Sequence, residues 1–249
     1  MRIQIDLTKL GRLNTNHHLC FCNMDNKLFI CSATKGKRQD TLLWQTKDRE
    51  IDVYFKEGNK DSLQKVYNKA IDFAIKENLD HIILCHDDII LENFDYEKLK
   101  IHFETYDVLG VAGASQINLK QPALWHLLGG GFGSGNLHGA VAHINDHQKS
   151  MTAFGTYPHP AIVMDGVFLA ISRKAFKKIR FDESCPSGFH FYDIAYTLDA
   201  SLAGLKCGVV DAYITHASPG LQSFTDDWNA GQDWFMEKYD KYVGKIVKV

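Results

Sequence analysis

Two adjacent carboxylates, Asp87 and Asp88, follow the apolar run His81-Ile-Ile-Leu-Cys85. Like charges side by side are unfavourable unless a cation or hydrogen-bond donors offset them. Carboxylate oxygens at the end of a buried strand, with positions left for phosphate oxygens, suit Mg²⁺ or Mn²⁺. A solvated acidic turn has the same sequence, so the pair has two readings. Another carboxylate, Asp193, stands three residues after His190 in Gly188-Phe-His-Phe-Tyr-Asp-Ile-Ala-Tyr196. If a helix already runs through both, they share one face. Asp193 then either caps that helix or serves as a general base at the mouth of a site. Phe189, Phe191 and Tyr192 would shield such a base from water, and they fit a core equally well. His216, in Tyr213-Ile-Thr-His-Ala-Ser218, follows the last apolar run. A lone histidine is ordinarily a surface or core residue, but if its strand end adjoins that of Asp88, the two could share a divalent ion.

These residues need elements to hold them. Strands are predicted at 28–32 and 51–55. Asp61-Ser62 opens a helix whose apolar residues Leu63, Val66, Tyr67, Ala70, Ile71, Ala74 and Ile75 recur at the three-four spacing of one face. The run 81–85 reads as a strand buried on both faces. Apolar runs at 108–114, 162–171 (interrupted by Asp165-Gly166) and 207–214 read as further strands. Residues 193–202 read as a helix closed by Gly204 at C′. Strands alternating with helices predict an α/β fold with a mixed, mostly parallel central sheet flanked by helices. Such sheets bind ligands outside the carboxyl ends of their strands. Residues 127–139 hold six glycines and suit neither helix nor strand. They lack the Gly-Lys-Ser/Thr of a phosphate loop, and both a functional loop and a plain surface loop are open. Thr225-Asp226-Asp227 is a helix start. The aromatics after it, Trp228 to Tyr242, form either a packed helix face or a partner surface.

Composition narrows the classes. The 249 residues are 45% apolar and 23% charged, which excludes a disordered or collagenous chain. No stretch is apolar enough to span a bilayer. With 28 basic and 30 acidic residues the net charge is −2, so the chain does not coat nucleic acid by charge alone. A small basic patch could still touch one. Lys35-Gly-Lys-Arg38 and Arg173-Lys-Ala-Phe-Lys-Lys-Ile-Arg180 are solvated surface or contacts to an anionic polymer. The six cysteines form no CxxC pair, and several sit in apolar runs as small core residues. The first residues lack the apolar core of a secretory signal, so a cytoplasmic location is expected.

The order of these pieces resembles a GT-A glycosyltransferase of the large family-two type, closest to the subset related to a protein of streptomycin biosynthesis. The resembling segments are 62–70, His86-Asp87-Asp88-Ile89, Val111-Ala112-Gly113, Met164 to Ala170, Phe181-Asp182-Glu183 and Phe189 to Ile194. The resemblance implies one GT-A (Rossmann-like, nucleotide-sugar-binding) domain over 1–249. Its donor half would span about 26–115, its acceptor and catalytic half about 116–220, and an aromatic tail about 221–249. It implies a nucleoside-diphosphate sugar donor, UDP-sugar favoured, and Mn²⁺ or Mg²⁺ as cofactor. Asp88 would bind the metal and His216 would complete its site. Asp87 would face the ribose or the donor sugar. Ala33, Thr34 and Glu57 would hold the nucleoside, with Asn68, Asp165 and Gly166 lining the adjoining cleft. Asp193 would deprotonate the acceptor hydroxyl in an inverting displacement, with His190 and Trp125 on the acceptor side.

The family's usual Glu-Asp pair is here Tyr192-Asp193. The first 25 residues have no counterpart and the glycine-rich loop is unusual, so acceptor specificity does not transfer. The acceptor is expected to be a saccharide, a small metabolite or a hydroxymethylated DNA base as in bacteriophage DNA modification. Segments 129–139 and 217–225 are candidate lids. Two alternatives stand beside this reading. One is a nucleotidyltransferase, disfavoured because no Gly-rich, Arg-containing phosphate loop follows the first strand. The other is a catalytically silent module that binds a nucleotide sugar or DNA.

Overall fold

The computed structural model describes residues 28–47, 53–91, 94–119, 123–145, 148–212, 214–218, 223–243 and 245–248. In chain order the first elements are Leu28–Ala33 (β1), Leu42–Thr46 (α1), Val53–Lys56 (β2), Leu63–Lys76 (α2), His81–Cys85 (β3), Ile89–Leu91 (β4) and Tyr96–Phe103 (α3). Then come Val108–Gly110 (β5), Ala112–Ala114 (β6), Gln116–Asn118 (β7), Trp125–Leu128 (α4), Leu137–Asn145 (β8) and Gln148–Gly155 (β9). The second half holds His159–Pro160 (β10), Val163–Met164 (β11), Phe168–Ser172 (β12), Arg173–Lys178 (α5), Tyr192–Leu202 (α6), Cys207–Val209 (β13), Ile214–His216 (β14), Asp226–Lys238 (α7) and Ile246–Lys248 (β15).

A seven-stranded sheet runs β10-β13-β5-β12-β3-β1-β2. The ladders β1·β2, β1·β3 and β5·β13 are parallel, while β12 lies antiparallel between β3 and β5, and β10 antiparallel to β13. The sheet is mixed, as the alternating elements predict, with fewer parallel ladders than expected. β12 alone makes two of the three antiparallel ladders. A second sheet runs β11-β6-β8-β14-β4 with β9 paired on β8, and β7 pairs β15.

The chain passes between the two large sheets at β3/β4, β5/β6, β11/β12 and β13/β14. The runs 108–114, 162–171 and 207–214, expected as single strands, are therefore each cut in two. On β3, Ile82 and Leu84 enter one core cluster with Phe29 and Tyr67, while Ile83 and Cys85 enter the other with Ile30 and Leu109. That is the two-faced burial predicted for this strand. Burying each such aliphatic side chain contributes roughly 1.5–3 kcal/mol.

The helices follow their signals. Ser62 Oγ accepts from Lys65 N at 3.4 Å and caps α2, and Thr225 Oγ1 accepts from Trp228 N at 3.2 Å and caps α7. Gly204, with φ +76°, ends α6 where a left-handed residue was expected. Tyr239 Oη donates to Asp199 Oδ1 at 2.8 Å, and Lys238 Nζ bridges Asp182 and Asp199 at 2.7 and 2.8 Å. The aromatic tail is thus a packed face, with Trp228, Phe235 and Tyr239 buried.

The glycine-rich segment ends as a loop at 136, since 137–139 already belong to β8. Gly139 enters the strand at a bulge with φ +96°, and a Cβ there would lie 2.0 Å from Val111 O. Of the cysteines, Cys31, Cys85, Cys185 and Cys207 are buried and unpaired; Cys20 and Cys22 lie outside the described residues. Among the described residues no helix is long and apolar enough to cross a membrane.

Candidate functional site

Strand β3 is buried to its last residue, and the chain then turns through His86-Asp87-Asp88 before β4. Three different segments fix this turn. His86 N donates to Val167 O at 3.1 Å, Leu43 N donates to Asp87 O at 3.0 Å, and Ala217 N donates to Asp88 O at 2.9 Å. Antiparallel pairing sets His216 of β14 opposite Ile89 of β4, which brings His216 Nε2 to 3.2 Å from Asp88 Oδ1. His86 Nδ1 lies 3.8 Å from the same oxygen. One donor atom each from His86, Asp88 and His216 lies within 4.8 Å of the others.

Asp88 Oδ1 and His216 Nε2 are sealed from solvent, and despite their approach neither has an aligned hydrogen bond among the described residues. Orphaned polar atoms are costly to bury. Burial raises the Asp88 carboxyl, but the His216 and His86 imidazoles outweigh it and the net shift is downward. Burial depresses His86 against the pull of Asp88, and it depresses His143, whose ring lies 6.2 Å from that of His216. An ionised carboxylate beside neutral imidazole is the form that ligates a metal. The residues present therefore fit a divalent cation.

The carboxylate of Asp193 is held nearby. Phe191, with φ +66°, turns the chain into α6, so Asp193 stands in the first turn. Its Oδ2 accepts from Gly166 N at 2.8 Å, across to the turn between β11 and β12. A Cβ on Gly166 would lie 2.2 Å from Tyr192 Oη and 2.7 Å from Asp193 Cβ, so only glycine fits. Burial first, and the charge of Asp165 second, push the Asp193 carboxyl up to about 7. A carboxyl titrating near neutrality is tuned for general-base work. Asp165 is itself oriented, accepting from Val167 N and Trp125 Nε1, both at 2.9 Å. The two centres are joined by Tyr192, whose hydroxyl lies 2.9 Å from His86 Nε2 and donates to Gly166 O at 3.0 Å.

The other expected site residues divide. Ala33 and Thr34 end β1, and Thr34 N donates to Lys56 O at 3.0 Å, tying the carboxyl ends of β1 and β2 together. Glu57 follows β2 and accepts from Arg38 N at 2.8 Å. These positions share the carboxyl edge of the sheet with the His86–Asp88 turn, where ligands of such sheets bind. The amide of Asn68 bonds Phe181 N, Phe181 O and Glu183 Oε1, so it ties down the 181–183 segment. The shared helical face of His190 and Asp193 is a correction: the helix begins after His190, whose backbone N donates to Ser187 Oγ at 3.0 Å.

Of the basic clusters, the one on α5 is ion-paired. Arg173, Lys174 and Arg180 meet Asp80, Asp107 and Asp72 at 2.7, 3.0 and 2.7 Å. It follows Ser172, which pairs with His81 at the far end of β3 from the acidic turn. The glycine loop is stitched to itself, with Gly131 N donating to His126 O at 2.8 Å and Asn136 Nδ2 to Gly129 O at 3.0 Å. Part of the other candidate lid, 219–222, lies outside the described residues.

A sequence model of the family described as Glycosyltransferase like family matches residues 22–248. The chain belongs to this glycosyltransferase-like family. A search of curated proteins found no match. Among solved structures, the chain is similar to protein A197 from STIV, at 13% identity and TM-score 0.43, covering 80% of this chain and 97% of that one. It is similar to HddC from Yersinia pseudotuberculosis at 16% identity and TM-score 0.34, covering 84% and 79%. It is also similar to a glycosyltransferase involved in glycosylation of the major capsid of PBCV-1, at 12% identity and TM-score 0.36, covering 84% and 98%. Likenesses this distant carry no functional weight.

Membership makes transferase chemistry on a nucleotide sugar the general activity of this glycosyltransferase-like chain. The sequence reading of its site overlooked His86 and Tyr192. His86 had a usable signal, since His-x-Asp puts two side chains on one side of an extended segment. Tyr192 had none, because its partner His86 is 106 residues away.

Proposed function

We propose that the protein is a metal-dependent, inverting glycosyltransferase that moves a sugar from a nucleoside-diphosphate sugar, UDP-sugar favoured, to an acceptor hydroxyl. The observation that carries this reading is the pairing of the His86–Asp88–His216 group with a carboxylate, Asp193, whose pKa is raised to about 7. Tyr192-Asp193 in place of Glu-Asp supports the streptomycin-related subset. The chain would act as one catalytic domain, with donor half, acceptor half and aromatic tail in that order.

Asp88 and His216 would hold a divalent cation. When bound, it supplies Lewis-acid stabilisation of the charge developing on the leaving diphosphate. Thr34 and Glu57, at the ends of β1 and β2, would bind the nucleoside, and Asp87 the ribose or the donor sugar. Asp193 Oδ1 would take the acceptor proton as its oxygen attacks the anomeric carbon, while Gly166 N holds Oδ2 in place. Fixing the base in this way lowers the entropic cost of the displacement. Asp165 and Trp125 would set the acceptor side.

For the acceptor, a saccharide or small metabolite is favoured over a modified DNA base, because in the 173–180 cluster Arg173, Lys174 and Arg180 are paired with acids, and the cluster follows the far end of β3 from the acidic turn. The test is transfer and donor hydrolysis with Mn²⁺ across a panel of nucleotide sugars and acceptors, modified DNA included. Asp88→Asn should abolish both reactions, and Asp193→Asn should abolish transfer while keeping donor binding. Full activity in both variants would overturn the assignment.

A further inference from the structure

The glycine-rich loop carries Phe132, which at 65% is the most exposed large apolar side chain among the described residues. Gly131 and Gly133 flank it, both at φ +82°, a backbone that glycine alone adopts freely, so residue type fixes the turn that lifts the ring. The loop's own hydrogen bonds hold that turn: Gly131 N donates to His126 O, and Asn136 Nδ2 to Gly129 O. One face of Phe132 lies on Phe154, with centroids 5.6 Å apart and planes at 24°. Phe154 meets Trp125 edge-on at 4.8 Å. Phe154 reaches this place through a bulge. Gly139 pairs with Gly155 and Ala140 with Ala153, so Phe154 is the extra residue on β9. Bulges re-aim a side chain in this way. Trp125 Nε1 donates to Asp165 Oδ2 at 2.9 Å, and Asp165 is the carboxylate whose charge acts on Asp193. A row of three rings therefore runs from the Asp165–Asp193 pair to solvent. A single exposed apolar residue needs no explanation. A stacked row built on a bulge and two positive-φ glycines, and ending at the proposed base, does.

We propose that Phe132 and Phe154 are a stacking subsite for the acceptor, and that the acceptor is a neutral saccharide of at least two units. One unit presents its hydroxyl to Asp193, and the next lays a C–H face of its ring on Phe132. This deepens the proposed function and rests on its siting of the base at Asp193. The π face of an aromatic ring is negative, and the C–H groups on one face of a pyranose are its positive complement, with the hydroxyls turned outward to water. Two units are needed because the open face of Phe132 stands two ring contacts, 4.8 and 5.6 Å in turn, beyond the indole that binds Asp165. A nucleobase would stack on the same rings, so charge decides between the two. The charged group tied to the row is a carboxylate, Asp165, and burial depresses the neighbouring His126 imidazole towards its neutral form. A phosphate backbone needs cations along its path and would be repelled here. A neutral sugar is not, and its hydroxyls can donate to a carboxylate.

The test uses the wild-type protein without donor, so that nothing turns over. It is titrated with a panel of neutral di- and trisaccharide methyl glycosides, the matching monosaccharides, and oligonucleotides carrying hydroxymethylcytosine. Binding is read by tryptophan fluorescence and by the ¹H–¹³C shifts of the phenylalanine rings. At least one disaccharide should bind ~10-fold tighter than its monosaccharides and shift the Phe132 ring. Phe132→Ala should erase that advantage, a loss of ~10-fold being usual when a stacking ring is truncated, and Phe132→Trp should restore it. A ring that merely covers Phe154 would give no such rescue. The proposal is overturned if no saccharide of the panel binds, if the oligonucleotides bind more tightly, or if the disaccharide advantage survives Phe132→Ala. If Phe132→Ala does not fold, the Phe132 shifts in the wild-type protein decide. Phe132-dependent saccharide binding with no transfer from any donor would keep the subsite and end the transferase reading. Transfer whose acceptor KM ignores Phe132 would do the reverse.

Discussion

Asp193→Asn should make the protein more stable while abolishing transfer, and the gain should depend on pH. Burial and the Asp165 charge raise the Asp193 carboxyl from its ordinary 3.8 to about 7 in the folded chain. Because the folded pKa lies above the unfolded one, the protonated form favours folding. Its contribution is fully present below pH ~4 and is lost as pH rises through ~7. At ~1.4 kcal/mol per pH unit, the gap between 3.8 and about 7 costs roughly 4 kcal/mol at pH 8.5. That is a ceiling. Asp193 is only half-buried as a residue, and water and neighbouring dipoles relax around it, so about 2 kcal/mol is the expected gain.

Asparagine resembles the protonated acid in shape and charge, and its oxygen can still accept from Gly166 N. At pH 5 the variant should therefore melt within about 2 °C of the wild type. At pH 8.5 it should melt roughly 4–8 °C higher, given 2–4 °C per kcal/mol for a chain of this size. Titrating groups remote from Asp193 cancel in the difference between the two proteins, and the repulsion with Asp165 is part of the effect measured. The measurement is a pair of melting curves at each pH in metal-free buffer. An equal shift at pH 5 and 8.5, or a variant less stable at 8.5, would refute the claim that burial strains this carboxylate. A gain in stability coupled to lost turnover would mark Asp193 as a group kept for chemistry.

Transfer at low acceptor concentration should rise about tenfold per pH unit below ~7 and level off above it, since the base works ionised; initial rates at fixed Mn²⁺ check this. Gly166→Ala should destabilise by about 1–3 kcal/mol, because its Cβ would meet Tyr192 Oη at 2.2 Å, and it should displace the N–H that holds Asp193. Chemical denaturation and turnover read the two effects. Asp88→Asn should remove measurable Mn²⁺ binding by calorimetry, and in metal-free buffer at neutral pH it should lower the melting temperature, since His216 and His86 make the ionised carboxylate the form that the fold favours. Lys238→Met should cost about 1–3 kcal/mol by leaving Asp182 and Asp199 without their shared cation, and urea melts should show it.

The elements were legible wherever a local rule decides them. Ser62 and Thr225 capped the helices they precede, Gly204 ended α6, and the two-faced burial of β3 followed from its composition. The expected strands at 108–114, 162–171 and 207–214 each took two strands for one. Only 108–114 is apolar throughout and carries no mark where the chain changes sheet; in the other two runs Asp165-Gly166 and Asp211 stand at the crossing, and the apolar residues on either side of them hid the break.

Those same crossings build the site. The β3/β4 crossing is the His86–Asp88 turn, the β11/β12 crossing is Asp165–Val167, and the second sheet carries His216 to its place beside Asp88. Breaking a run of strand frees consecutive backbone groups from the ladder, and the neighbouring segments take them up: Val167 O, Leu43 N and Ala217 N each hold one residue of the turn. The acidic pair was therefore readable as chemistry, while its precision was not, because the three groups that fix it come from three distant parts of the chain. Asn68 shows the converse. The resemblance implied a place in the donor cleft, and the fold brings the 181–183 segment to its amide as well. A polar residue near a cleft serves ligand or scaffold according to which partners the fold brings to it. Only long-range packing decides that.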